Sequence, residues 1–246
     1  MSDASISQLV LRIASDDVSP ECLEAEIYRR LLPLAGARIA ELGCGGAEHT
    51  RAIAELDSDL SISAYEVDSI QHEKNLNSPQ LANVSFKLAG AQAIPEPDAS
   101  YDIVMMFKSL HHVPEQSLGK ALDEIHRVLK NGGLAYFSEP VFAGEFNDIL
   151  RLFHDEGQVR QAAFGAISAA VTYGQFELVE EIFFNAPVGF SDFSEFERKV
   201  INSTHSEFQL SPAVASEVRS RMEARMTDSG IHFSTPMRID LLRKPV

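Results

Sequence analysis

Apolar and polar positions along this chain fall into two rhythms. Between residues 38 and 138, short apolar runs recur: Arg38-Ile39-Ala40-Glu41-Leu42, Leu60-Ser61-Ile62-Ser63-Ala64-Tyr65, Val84-Ser85-Phe86-Lys87-Leu88, Tyr101-Asp102-Ile103-Val104-Met105-Met106 and Leu134-Ala135-Tyr136-Phe137-Ser138. Each has strand length. Thr50–Leu56 and Leu118–Leu129 between them read as helices, the second with Leu118, Leu122, Ile125 and Leu129 on one side. Asn131-Gly132-Gly133 stops that helix, because glycine past a helix end accepts left-handed backbone. Strands separated by helices imply parallel βαβ units with right-handed crossovers. The spacing therefore predicts an α/β fold, a Rossmann-like doubly wound and mostly parallel sheet over residues 35–140. Ligands are expected at the carboxyl ends of its strands.

On either side the rhythm is helical. Ser19-Pro20-Glu21 reads as a helix start, with Leu23, Ile27 and Leu31 along one face and Pro33 as its end. After Pro140, helical spacing runs over residues 145–185, 191–203 and 211–229, and Met237–Leu242 reads as a last strand. No strand is expected between 140 and 230. The chain is thus read as a single domain. It has an N-terminal helical segment (1–34), a ligand-binding core (35–140), a helical cap (141–230) and a C-terminal strand (231–246).

Composition narrows the partners. No apolar run approaches the ~20 residues that span a bilayer. The first residues carry no basic stretch ahead of an apolar one, so neither a membrane nor a signal peptide is expected. Two cysteines, Cys22 and Cys44, make neither a disulfide framework nor a metal cluster. No metal is expected, and a reducing cytoplasm fits. A net charge of −15 repels nucleic acid unless basic residues cluster, and the best cluster is the short run Arg238–Lys244. A small molecule is the expected partner; oligomeric state is not legible.

The chemistry concentrates at one turn. Glu41-Leu42-Gly43-Cys44-Gly45-Gly46 stands between a strand and a helix, where glycine permits tight bending and close approach of a ligand. Glu66 ends the next strand, where a carboxylate would accept hydrogen bonds from ribose hydroxyls. Glu41 argues against a pyrophosphate at the turn, and hence against a nicotinamide dinucleotide. A carboxylate there favours a sulfonium and an ammonium instead.

At these residues the sequence resembles the class I S-adenosylmethionine-dependent methyltransferases, especially the type-11 or UbiE-like group. Glu41–Gly45 resembles the family's first motif and Ala64-Tyr65-Glu66-Val67-Asp68 its second. Ala99–Val104, Leu110-His111-His112-Val113 and Glu124–Gly133 resemble three further segments, in the right order, across residues 36–140. The resemblance implies a methyl transfer from S-adenosyl-L-methionine to a small-molecule acceptor, leaving S-adenosyl-L-homocysteine. It implies cofactor contacts at Glu41, Gly43, Cys44, Gly45, Glu66, Val67, Ala91, Gln92, Phe107 and Lys108. Two positions depart from the pattern. Ala47 replaces a glycine, and the family's acidic adenine contact is missing near Gly90-Ala91-Gln92. That second departure leaves open a modified cofactor or a different reaction on the same cofactor; a non-catalytic cofactor-binding subunit is a separate alternative, whose sign would be a blocked substrate pocket or a large exposed apolar patch.

The remaining candidates each have a structural alternative. His111 and His112 follow the fourth predicted strand and offer a base near neutral pH, or simply pack there. Tyr28 and Arg29 could close over the cofactor's carboxylate. Tyr28, His112 and Glu139 are candidate substrate contacts. The aromatics Phe146, Phe153, Phe164, Tyr173, Phe176, Phe183 and Phe184 line a pocket or form core.

Overall fold

The computed structural model describes residues 11–202, 208 and 210–246. Its centre is a sheet built from β1 (Ser19–Glu21), β2 (Arg38–Leu42), β3 (Ser61–Glu66), β4 (Val84–Leu88), β5 (Tyr101–Phe107), β6 (Leu129–Pro140), β7 (Glu177–Phe190), β8 (Met226–Thr227) and β9 (Gly230–Arg243). The order is β1-β7-β9-β6-β5-β2-β3-β4, with β8 paired to β9. From β6 to β4 every pairing is parallel, while β9 runs antiparallel to both β6 and β7. The expected doubly wound core is therefore present, and strands β2 and β4 carry the bounds read from the sequence.

Alternation along the strands builds two cores. Ile39, Ile103 and Met105 face one way, with Ile27 and Tyr28 of α1 (Glu24–Leu31) and Ile53 of α2 (Glu48–Ala54). Ala40, Val104 and Met106 face the other way. There they meet Leu122 and Ile125 of α4 (Leu118–Val128) and Ala163 and Ile167 of α6 (Gly157–Thr172). Helix α3 (Ser69–Asn77) follows β3. At the amino-terminal end of the sheet Asp102 accepts from the Arg38 N–H and the Lys130 ammonium, which ties β2 and β6 to β5.

Three expectations are corrected. Ser19–Glu21 is an edge strand, parallel to β7, and the helix begins only at Glu24. Pro20 has no N–H to lose to a ladder, so a sheet edge suits it as well as a helix start. Residues 177–185, read as the end of a helix, belong to β7, a strand in the stretch between 140 and 230 where none was expected. A register shift between Leu178 and Glu180 breaks the period-two signal that would have marked this strand. The last strand is far longer than Met237–Leu242, because β7 and β9 pair from Glu177–Arg243 out to Phe190–Ile231. Beyond the sheet this ribbon packs its own small core. Phe190, Phe233 and Ile231 meet Phe196 of α7 (Phe193–Phe196) and Met222 of α8 (Pro212–Glu223). The helical additions over the sheet edge are then α5 (Glu145–Leu150) and α6. Part of the helix expected over 191–203 falls on residue 203, outside the described residues, as do residues 1–10 of the N-terminal segment.

Among the described residues, three non-glycine residues hold positive φ: Ala47, Ala99 and Lys108. Left-handed backbone costs an L-residue roughly 1–2 kcal/mol. Ala99 is exposed, so Ala99→Gly relieves that strain and loses only glycine's ~0.5–1 kcal/mol of added chain entropy. It should stabilise the protein by about 0.5–1 kcal/mol in urea unfolding. Ala47→Gly should come out near zero, because Ala47 is fully buried and its methyl contributes about 0.8 kcal/mol of apolar burial.

Candidate active site

The carboxyl ends of β2, β3, β4 and β5 form one edge, and the predicted ligand residues gather there. The turn after β2 is held from three sides. Gly43 and Cys44 donate backbone N–H bonds to the Tyr65 carbonyl. Glu66 accepts from the Gly45 N–H at 2.8 Å and from the Val67 and Asp68 N–H groups. Asn75, buried on α3, donates to the Gly45 carbonyl at 2.8 Å. The two glycines serve different needs. A Cβ on Gly43 would lie 2.7 Å from Cβ of Ser109, whose hydroxyl donates to the Leu42 carbonyl, so Gly43 is required by the protein's own packing. A Cβ on Gly45 would meet nothing within 4 Å, and its φ of +51° is the glycine requirement. Gly45 is thus the point of the turn open to a ligand.

Glu41 lies beneath the turn, buried, and accepts from the Thr50 hydroxyl at 2.5 Å. Burial raises its carboxyl to about 8 against the relief from Thr50, with Glu48 and Glu24 adding to the rise. The expected anionic Glu41 is thus largely a neutral acid at pH 7 until a cation approaches. Beside it Tyr28 is fully buried and its hydroxyl has no hydrogen-bond partner among the described residues. Its ring meets His49 edge-on, and His49 stacks on Phe107 at 4.0 Å. Phe107 therefore points into the core. Burial, then Lys108, lowers His49 to about 4, so it is neutral. Arg29 is exposed and on the outer side of α1. Lys108 is exposed with φ +51°.

At the end of β4 a side chain on Gly90 would meet the Gln92 amide, whose Oε1 lies 2.6 Å from the built Cβ. The Gln92 amide thus fills the place a side chain at residue 90 would take. Ala91 is buried beside it and Val67 is exposed at the end of β3.

The other half of the site joins the sheet to the cap. Glu139, at the end of β6, accepts from the Leu110 N–H at 2.9 Å and makes a short hydrogen bond with Nδ1 of buried His111. Nε2 of His111 faces Glu156, which stands just before α6, at 3.6 Å. Glu156 accepts from Arg160 at 2.5 Å and pairs with His154 at 2.8 Å. Burial alone would lower His111, but the Glu139 carboxylate, with Glu156 behind it, raises it to about 9. Burial would raise Glu156, and His111 and Arg160 outweigh it to hold the carboxyl below its usual range. His111 is therefore an imidazolium at neutral pH and no base. His112 is exposed next to it. Against Glu139 opens a cavity of about 300 Å³, lined also by Ile13, Val141, Phe142, Arg160 and Arg238.

Glu156, Arg160, Asn75 and Ser109 were not singled out in the sequence. Glu156 and Arg160 are spaced i, i+4, the one signal that could have marked them. Arg238 is not part of a basic surface: it is buried and paired with Asp240 at 2.8 Å. Of the cap aromatics, Phe176, Phe183 and Phe184 are core and Tyr173 is exposed. Among the described residues no helix is long and apolar enough to cross a membrane.

The methyltransferase domain family matches residues 39–133. Over 108 residues the chain is 33% identical to the 27-O-demethylrifamycin SV methyltransferase of Amycolatopsis mediterranei, covering 42% of this chain and 39% of that protein. Over 128 residues it is 31% identical to the ubiquinone/menaquinone biosynthesis C-methyltransferase UbiE of Pectobacterium carotovorum, covering 49% and 47%. The chain thus matches less than half the length of these two relatives. A solved candidate methyltransferase from Bacillus halodurans C-125 shares the fold with a TM-score of 0.63 at 15% identity, covering 91% of this chain and 99% of that one.

The Glu41 environment has a measurable consequence. Its carboxyl binds a proton more tightly folded (about 8) than at its ordinary 4.5. Stability from this group is therefore full below pH 4.5 and falls as pH rises towards 8. Glu41→Gln keeps an acceptor for Thr50 and removes that slope. In urea unfolding from pH 5 to pH 8.5, the variant should gain on the parent by on the order of 3 kcal/mol at the alkaline end.

Proposed function

We propose that this chain, whose residues 39–133 match the methyltransferase domain family, is an S-adenosylmethionine-dependent methyltransferase acting on a small organic acceptor. The observation that carries the cofactor reading is the Glu41 carboxyl buried under the glycine turn. A pyrophosphate there would lie against an acid. An ammonium or sulfonium would favour the ionised form of Glu41, which would give its proton to solvent and pair with the cation as a carboxylate. The residues fit such a group in other respects. Tyr28 offers a buried hydroxyl in need of a partner, Gly45 leaves open space, and Glu66 ends β3 with its carboxylate already oriented by three backbone N–H groups. Gln92 and the Ala91 backbone stand where the adenine amino group would be read, in place of the acid the family uses.

Bound S-adenosylmethionine would supply a methyl group on a positive sulfur, open to direct displacement. The chain's own task is alignment, since a well-oriented nucleophile needs little else. His112, the exposed imidazole beside His111, is the residue assigned to the acceptor. His111 is a positioning residue, pinned by Glu139 and charged. The cavity of about 300 Å³ at Glu139 is at the lower end of small-molecule pockets, which supports a small acceptor over a macromolecule. The high negative charge and the burial of Arg238 support the same choice. The acceptor atom is an oxygen, nitrogen, sulfur or carbon of that molecule.

Calorimetric titration tests this reading. S-adenosylmethionine and S-adenosylhomocysteine should bind at micromolar concentration and NAD should not. Failure of both adenosyl compounds to bind folded protein overturns it. Glu66→Ala should weaken S-adenosylhomocysteine by about 10–100-fold, the loss of hydrogen bonds to a charged acceptor, while Glu66→Gln retains part of the affinity. His112→Ala should lower kcat for an accepted substrate by about 10–100-fold and leave S-adenosylhomocysteine affinity within twofold.

A further inference from the structure

The cluster that joins the sheet to the cap has the donor set of a metal site. His111, His112 and Glu156 place one ligand atom each within 4.8 Å of one another. Two imidazoles and one carboxylate with an open position form a recurring catalytic set for zinc and other first-row ions. From these residues we propose that His111 Nε2, His112 and Glu156 bind a divalent transition-metal ion, of which Zn²⁺ is the best fit, beside the acceptor cavity.

Three observations carry this. First, the gap between His111 Nε2 and Glu156 Oε1 is 3.6 Å. That is too long for a hydrogen bond. Two ligands bonded to one ion at about 2.1 Å and a near-tetrahedral angle stand roughly 3.4 Å apart, so the gap matches shared coordination, the ion displacing the Nε2 proton of the His111 imidazolium to solvent. Second, the other imidazole nitrogen of His111 is held by Glu139, which in turn accepts from the Leu110 N–H. A carboxylate on the far nitrogen fixes ring orientation and is the usual outer partner of a metal-binding histidine. Third, Glu156 is oriented as a ligand would be: Arg160 holds Oε2 and leaves Oε1 towards His111. His154 also reaches Oε1 and would move aside or join the ion. His112, exposed at the same corner, completes the set within the same 4.8 Å.

The ion's place fits a use. Glu139 and Arg160, which hold His111 and Glu156, line the acceptor cavity, so the ion would stand directly behind that wall. An acceptor oxygen that reached it would be held there and favoured in its ionised form. That use rests on the methyltransferase reading; the binding of the ion does not.

The test is calorimetric titration of metal-free full-length protein with Zn²⁺, with Co²⁺ absorption as a report on coordination. A single ion should bind, with a nitrogen- and oxygen-ligated Co²⁺ spectrum. His112→Ala and Glu156→Gln should each weaken uptake by at least about tenfold, and Glu139→Gln by about 10–100-fold. His232→Ala, a control histidine bonded to Ser229, should change nothing. Because His112 is exposed, its variant stays interpretable if Glu156→Gln unfolds the cap. Absence of uptake by the folded parent, or uptake that survives both His112→Ala and Glu156→Gln, overturns the site and leaves the cluster as an ion-pair lock. S-adenosylhomocysteine titrated in parallel separates the two readings. Zn²⁺ uptake without it sustains the metal site alone, and its binding without Zn²⁺ uptake sustains the cofactor reading alone.

Discussion

Buried charge must be compensated, and the chain of groups Glu139, His111, Glu156 and Arg160 is where this protein meets that demand. A carboxylate removed from water without a partner costs several kcal/mol. Glu139 is fixed in the sheet, so the imidazole follows it, and Glu156 with Arg160 follows the imidazole. The start of α6 is thereby placed over the ends of β5 and β6. Moving the cap would leave His111 charged, buried and half-partnered. One electrostatic requirement thus sets both a wall of the cavity at Glu139 and the corner where His112 stands.

The opposite half of the edge is governed by backbone. Gly43 is pressed against Ser109, Gly45 is tied to Glu66 and Asn75, and Ala47 stores a left-handed conformation at the start of α2. These contacts come from β5, β3 and α3, so the turn is a rigid junction of three βα units. Rigidity here matters because a ligand at Gly45 meets backbone rather than adjustable side chains. The same clamp explains why the two acids flanking the turn differ. Glu66 is engaged by three N–H donors at the edge, whereas Glu41 is sealed under it with one hydroxyl and takes up a proton.

Most of the sheet and the ligand edge were legible in the sequence because both are local properties. A strand at 38–42, a turn of small residues and an acid at position 66 need only chain spacing to be recognised, and β2 and β4 form over the residues expected. Signals that depend on distant partners were not legible. β7 reads as helix because a bulge shifts its period and its apolar residues face β9, some 50 residues on. Ser19–Glu21 is a strand only because β7 offers an edge. Glu41 looks like an anion in the sequence, and only its enclosure by Thr50 and the core makes it a neutral acid.

The sequence by itself determined the alternation of strands and helices, the acidic, glycine-rich turn, and the placement of His111, His112 and Glu139 at one edge. Spacing and side-chain chemistry suffice for these. The tertiary structure alone decided which histidine is charged, that Gln92 occupies the space at residue 90, and that Glu156 comes from 44 residues beyond His112 to the same corner. The physical reason is that burial and charge compensation are set by neighbours across the fold. No local pattern in the chain specifies them.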